Sequence, residues 1–85
     1  MDDPQRQEAF VSLLTDAQPA IRLYVASLMA GCPDVDDVVQ ETNTLLWRKR
    51  EEFEPGTPFK AWAFSVARYQ VLNWRKRQAK AAETP

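Results

Sequence analysis

The chain has 85 residues, the length of one small domain, which is too short for an enzyme that needs separate nucleotide-binding and substrate domains. With 45% apolar and 27% charged residues, its composition is that of a globular protein. It has no histidine and one cysteine, Cys32, which excludes an internal disulfide, the usual zinc sites and imidazole-based triads. No segment has the length of a membrane span or the pattern of a secretory signal. We therefore expect a cytoplasmic domain without membrane insertion that is not an enzyme and needs no cofactor or metal.

The net charge of −1 hides a strong division along the chain. Residues 1–46 carry eight acidic and two basic side chains, whereas residues 47–85 carry nine basic and four acidic ones. From Lys60 to Lys80 there are six basic residues and no acidic one. This asymmetry predicts two surfaces with different partners, one of them a polyanion, although a basic run alone is more often a solvated helix face.

Apolar residues recur at three- and four-residue spacing almost throughout, which predicts an all-α fold, a compact bundle of three to four helices. The first helix is expected to begin at Pro4 and to bury Phe10, Leu13 and Leu14. Pro19 interrupts the pattern, which leaves open whether one bent helix or two separate helices precede the stop signal at residues 31–33.

The next helix has the clearest start in the sequence, with Asp34 as a predicted N-cap and further carboxylates in the first turn. The spacing predicts one inward-facing stripe on this helix: Val35, Val38, Val39, Thr42, Leu45 and Leu46. The opposite face presents a tryptophan among polar side chains: Asp37, Gln40, Glu41, Asn43, Thr44 and Trp47. Such a face is typical of a protein-binding surface. A merely solvated face with Trp47 packed against its neighbours is equally compatible with the pattern.

A loop rich in proline and glycine follows, and Thr57 is then expected to cap a long final helix from Pro58 to about Lys80. This helix interleaves aromatic and basic side chains. Cations attract phosphates and aromatic rings can stack on exposed bases, so the combination favours single-stranded or opened DNA over an intact duplex. Phe59, Trp62 and Phe64 are candidates for the core, whereas Tyr69 and Trp74 are harder to bury in so small a domain.

Two motifs in this order resemble conserved region 2 of bacterial sigma factors of the extracytoplasmic-function class. The first is Asp-Val-Val-Gln-Glu-Thr-Asn at 37–43, followed by Leu45-Leu46-Trp47. The second is Phe-Lys-Ala-Trp-Ala-Phe-Ser-Val-Ala-Arg at 59–68, followed by Asn-Trp-Arg-Lys-Arg at 73–77. The resemblance extends from about Phe10 to Gln78, and it implies a transcription initiation factor that binds the core RNA polymerase and recognises and melts the −10 promoter element.

The resemblance also implies roles for individual residues. The residues that would face the clamp helices of the polymerase β′ subunit are Asp37, Gln40, Glu41, Asn43 and Trp47. The loop that would capture a base flipped from the non-template strand contains Glu54, Pro55, Gly56 and Thr57. The residues of the final helix that would hold the −10 DNA and its melted strand are Lys60, Arg68, Tyr69, Asn73, Arg75, Lys76 and Arg77. Asn43, Ser65 and Tyr69 depart from the residues most frequent in the class. The departures at Ser65 and Tyr69 affect the expected −10 preference.

Residues 1–80 would form the region 2 domain and residues 81–85 the start of a linker. The helix-turn-helix domain called region 4 is absent, so we expect an isolated or truncated domain with weak promoter affinity of its own. Two other functions remain open: a repressor-like reader of duplex DNA, and an interaction bundle for an acidic partner such as an anti-sigma regulator. The carboxylates Asp34, Asp36 and Asp37 are explained by helix capping rather than metal binding.

Overall fold

The computed structural model describes residues 3–83 and confirms the all-α prediction. The helices are α1 (Pro4–Leu28), α2 (Val35–Arg48) and α3 (Phe59–Glu83), with a single 3₁₀ turn at Arg50–Glu52 between α2 and α3. Each helix packs against the other two, and no strand occurs among residues 3–83. The three helices thus enclose one shared core.

Helix α1 is continuous, which resolves the question that Pro19 left open in the sequence. Pro19 lies inside the helix on an exposed position, while Ala17, Ile21 and Val25 are buried on one face before and after it. An internal proline costs about 3 kcal/mol in a helix, so packing of this shared face against α2 and α3 must hold the two halves together. The N-terminus is capped by Asp3, whose side chain accepts a hydrogen bond of 3.0 Å from the Gln5 backbone.

Helix α2 buries four residues of the stripe predicted for it: Val38, Val39, Thr42 and Leu46. Val35 and Leu45 of the same stripe are half-buried. Asp34 occupies the N-cap position, but its side chain makes no capping hydrogen bond. The capping role expected for this carboxylate is therefore wrong. Asp36 and Asp37 lie in the first turn, where negative charge is favoured by the helix dipole.

Helix α3 begins one residue later than predicted, because the carbonyl of Pro58 accepts the first helical hydrogen bond, from Trp62. Thr57 does not cap the helix; its hydroxyl donates to the Glu54 carbonyl at 2.6 Å and closes the preceding loop. The helix continues to Glu83, so residues 81–83, expected as the start of a linker, are helical. Thr84 and Pro85 lie outside the described residues.

Aromatic side chains from all parts of the chain meet at one end of the core. Phe10 packs edge-on against Phe59 and Trp62, with ring centroids 5.5 and 6.0 Å apart, and Phe53 lies beside the same rings. Phe64 instead stacks on Tyr24 of α1 at 4.6 Å. Leu13, expected in the core, is exposed, because its position on α1 lies outside the buried face. The aromatic cluster fixes the loop between α2 and α3 through buried Phe53.

Candidate protein and nucleic-acid interfaces

The exposed face of α2 contains most of the residues predicted to bind the polymerase. Four side chains follow one another along this face at helical spacing and are all exposed: Asp37, Gln40, Thr44 and Trp47. Glu41 and Asn43 are half-buried at its two borders, the first towards α3 and the second towards α1. The structure therefore brings the predicted set together as one strip, with its two border residues engaged by neighbouring helices.

Asn43 is held by a reciprocal pair of hydrogen bonds with Gln18 of α1. Asn43 donates to Gln18 at 2.8 Å, and Gln18 donates back at 3.0 Å. Gln18 also donates to the Leu14 carbonyl at 3.0 Å. The Asn43 amide thus joins two helices in addition to bordering the α2 strip. Sequence reasoning missed Gln18, since no local pattern connects residues 25 positions apart.

Trp47 combines the two interpretations that the sequence left open. The residue is 37% exposed, yet its ring also packs against Phe10, at a centroid distance of 6.1 Å. The Arg50 guanidinium lies 4.0 Å from the centroid of the Trp47 ring and donates a hydrogen bond of 2.8 Å to the Trp47 carbonyl. Trp47 is consequently a rigid aromatic group at the end of the α2 strip, a suitable anchor for a protein partner.

The loop predicted to capture a flipped base borders a groove of about 530 Å³. Of the four predicted loop residues, Pro55, Gly56 and Thr57 line the groove and Glu54 does not, and residues of the first turns of α1 line it as well. Gly56 has a φ of +91°, a conformation that other residues adopt only with strain. The apolar lining comes from Phe10, Leu13, Phe53 and Phe59, and the charged lining residues are Asp3, Arg6, Arg50 and Glu51. The first turns of α1 were not predicted to take part in this site.

The seven residues of α3 predicted to bind DNA fall into three groups according to their exposure and contacts. Lys60, Arg68, Tyr69 and Lys76 are exposed, and Tyr69 has 58% of its surface exposed. Asn73 is half-buried. Arg75 and Arg77 are exposed but each contacts another part of the chain. The exposed face of α3 also includes Leu72, while the neighbouring Val71 is buried.

Trp74 and Arg75 attach α3 to the connection between α1 and α2. The Trp74 indole donates a hydrogen bond of 2.9 Å to Asp34 Oδ2. Arg75 donates at 2.8 Å to the carbonyl of Leu28, the last residue of α1, where a positive charge is favoured by the helix dipole. Trp74 is thus half-buried between helices. Arg75 holds α3 against the end of α1, a structural role that is separate from any contact with DNA.

Arg77 forms an ion pair with Glu41 of α2. Arg77 Nη2 lies 3.1 Å from Glu41 Oε2 and 3.3 Å from Oε1. The pair joins a residue predicted to bind DNA to a residue predicted to bind the polymerase. The two predicted surfaces therefore meet along the α2–α3 border.

The described part of the chain holds no cluster of three or more His, Cys, Asp or Glu side chains suited to a metal ion. Asp36 pairs with Arg22 of α1. Cys32 is a free, half-buried thiol, and its sulfur lies 3.4 Å from the Asp34 backbone nitrogen. Across residues 3–83, no helix is long and apolar enough to span a membrane.

The chain belongs to the sigma-70 region 2 family, whose model matches residues 13–81. It is 42% identical over 60 residues to the ECF RNA polymerase sigma factor SigF of Caulobacter vibrioides, covering 68% of this chain and 34% of that protein. It is 40% identical over 62 residues to the RNA polymerase sigma factor CnrH of Cupriavidus metallidurans, covering 71% of this chain and 31% of that protein. The family and class predicted from the sequence motifs are thus confirmed.

A third relative, the ECF RNA polymerase sigma factor EcfG of Rhodopseudomonas palustris, is 33% identical over 63 residues, which cover 73% of this chain and 35% of that protein. The chain spans about a third of the length of these curated relatives. No solved structure matches the chain significantly.

Proposed function

We propose that this domain binds the core RNA polymerase through the α2 strip and holds the opened −10 promoter element with α3 and the loop before it. The observation that carries the proposal is the segregation of two surfaces on one small bundle of the sigma-70 region 2 family. One surface is the polar strip on α2 that ends in Trp47, and the other is the basic face of α3, which carries no acidic side chain from Lys60 to Lys80.

For the polymerase, the proposed contact is with the clamp helices of the β′ subunit. Asp37 and Gln40 would provide charge and hydrogen bonds, and the rigid Trp47 ring would provide the apolar anchor. Glu41 and Asn43 would contribute from the borders of the strip. An anti-sigma regulator would act by covering this strip or the exposed face of α3.

For the promoter, the proposed role is to trap strand opening rather than to drive it chemically. Extruding a base costs a few kcal/mol. The groove beside Gly56 offers an apolar lining, and an unstacked base that packed against it would offset part of that cost. Lys60, Arg68 and Lys76 would hold the phosphates, which sets affinity, while the groove and Tyr69 would bias the base sequence. No bond is made or broken, and such a factor would work in the cytoplasm.

The polymerase contact can be tested by fluorescence anisotropy with a labelled β′ clamp-helix fragment. We expect saturable binding that Asp37→Arg abolishes. The matched control is Asp16→Arg, the same charge reversal at an exposed position of α1 outside the α2 strip, and it should bind like the wild type. Absence of binding by the folded wild-type chain at high micromolar concentration would overturn the proposal in favour of a repressor or another interaction module.

The DNA contact is tested with a labelled non-template strand of a −10 element and with the matching duplex. Preference for the single strand or a pre-opened duplex supports the proposed function. Tighter, sequence-specific binding to the intact duplex would instead support a duplex-reading repressor.

A further inference from the structure

An ion pair joins Glu41, at the border of the α2 strip, to Arg77 on the proposed DNA-binding face of α3. Both oxygens of the Glu41 carboxylate lie within 3.3 Å of one nitrogen of Arg77. The side chains are 41% and 54% exposed, so a partner can reach either of them. Opening the pair would return both groups to water and would leave no buried charge unpaired.

Opening this pair need not move the helices. Just before Arg77, α3 is attached by the hydrogen bonds of Trp74 to Asp34 and of Arg75 to the end of α1. On α2, the residues flanking Glu41 in the core, Val38 and Thr42, are fully buried. Loss of the pair would therefore free the Glu41 and Arg77 side chains to move while the backbones of α2 and α3 stay in place.

We propose that the Glu41–Arg77 pair couples polymerase binding to DNA binding, an inference that rests on the proposed function. In the free domain, Glu41 neutralises Arg77 and weakens its attraction for phosphate. A polymerase group that binds the Glu41 carboxylate removes this counter-charge and frees Arg77 for the DNA backbone. Because coupling between binding sites is reciprocal, DNA bound at Arg77 also favours the polymerase contact at Glu41.

The size of the coupling is limited by the strength of the pair. Exposed ion pairs are weak, so each ligand should raise the affinity for the other by no more than about fivefold. The freed arginine adds one phosphate contact. The slope of log affinity against log salt for a single strand should then become steeper by about 0.7.

The first test measures binding of a labelled mixed-sequence DNA strand to the 85-residue chain by anisotropy at several salt concentrations. Glu41→Gln should bind the strand up to about fivefold more tightly than the wild type and with the steeper slope. The same substitution in an Arg77→Gln background is the control. Any general effect of removing a negative charge persists in that background, whereas the effect of the ion pair disappears.

The second test adds the β′ clamp-helix fragment at saturating concentration. The fragment should tighten DNA binding of the wild type and should not tighten that of Arg77→Gln, which retains Glu41 and the α2 strip. Equal effects of Glu41→Gln in both backgrounds, or equal enhancement by the fragment in the wild type and Arg77→Gln, would overturn the coupling. If the wild type still binds the β′ fragment and the DNA strand, such results overturn the coupling alone and leave the proposed function intact. If the wild type fails to bind either ligand, both the coupling and the proposed function are overturned.

Discussion

The indole nitrogen of Trp74 lies 2.9 Å from Oδ2 of Asp34, a residue 40 positions earlier in the chain. Asp34 stands at the N-cap of α2, where its carboxylate would ordinarily accept a hydrogen bond from the backbone of its own helix. It accepts from α3 instead. The contact links the start of α2 to the helix proposed to hold DNA, so it sets where the basic residues on either side of Trp74 are presented.

Trp74→Phe should destabilise the domain by about 1–2 kcal/mol, because it removes a partly buried hydrogen bond to a charged group while keeping most of the ring packing. The free energy of unfolding from urea titration measures this loss. The matched control is Trp47→Phe, the same change at a ring that makes no such hydrogen bond, and it should cost less. Equal losses for the two variants would show that the bond to Asp34 contributes little.

The Gln18–Asn43 pair predicts a specific mutational pattern. Asn43→Ala and Gln18→Ala should each cost about 1 kcal/mol, since each leaves a half-buried amide without its partner. Replacing both residues with leucine should cost less than the sum of the single losses, because no polar group is then left unpaired. Urea unfolding of the single and double variants provides the comparison.

Comparing variants of Gln18 and Asn43 tests whether Asn43 contacts β′ directly or acts only through the packing of α1 against α2. Gln18 lies on α1, outside the α2 strip. If Asn43 contacts β′ directly, Asn43→Ala should weaken binding of the β′ fragment more than Gln18→Ala does. Equal weakening in the anisotropy assay would show that Asn43 acts through the packing of α1 against α2.

Gly56→Ala and Gly31→Ala form a matched pair of backbone substitutions. Both glycines have positive φ values, +91° and +73°, and an added Cβ would meet no atom within 4 Å at either site. Each substitution should therefore cost about 1–2 kcal/mol through backbone strain alone. Only Gly56 borders the groove, so only Gly56→Ala should also weaken binding of the non-template strand. Equal effects on DNA binding would exclude the loop from the site.

Arg68→Ala should weaken DNA binding and make its salt slope shallower by about 0.7, because Arg68 is exposed on the basic face of α3 and free to contact a phosphate. Arg48→Ala, which removes a positive charge that is also exposed but lies on α2, is the control and should leave the slope unchanged. A slope that does not differ from wild type for Arg68→Ala would remove this residue from the phosphate contacts.

Arg75 and Arg77 should behave differently from Arg68. Arg75→Ala should lower stability as well as DNA affinity, because Arg75 also binds the Leu28 carbonyl. The Arg75→Ala, Arg77→Ala double variant should still make the salt slope shallower. An unchanged slope would show that both arginines act only within the fold. Urea unfolding together with salt-dependent anisotropy distinguishes the two contributions.

The helices, their apolar faces and the family were accessible from the sequence because they depend on local information. The periodicity of Val38, Val39, Thr42 and Leu46 identifies the buried face of α2 without knowledge of its neighbours. The glycine and prolines of residues 53–58 likewise mark the loop before α3. The family motifs at 37–47 and 59–77 then identified the class that the comparisons confirmed.

Pairings between distant residues decided what the sequence left open or led us to predict wrongly. Pro19 stays within one helix because the faces before and after it pack against the same partners, which outweighs the cost of the missing hydrogen bond. Asp34 has a good local capping position, but the competing partner Trp74 is brought near only by the packing of α3. Likewise, the charges of Glu41 and Arg77 are plain in the sequence, whereas their contact depends on how α2 lies against α3. Periodicity and turn residues thus determined the elements, and the tertiary arrangement decided which polar groups are paired and which are left for partners.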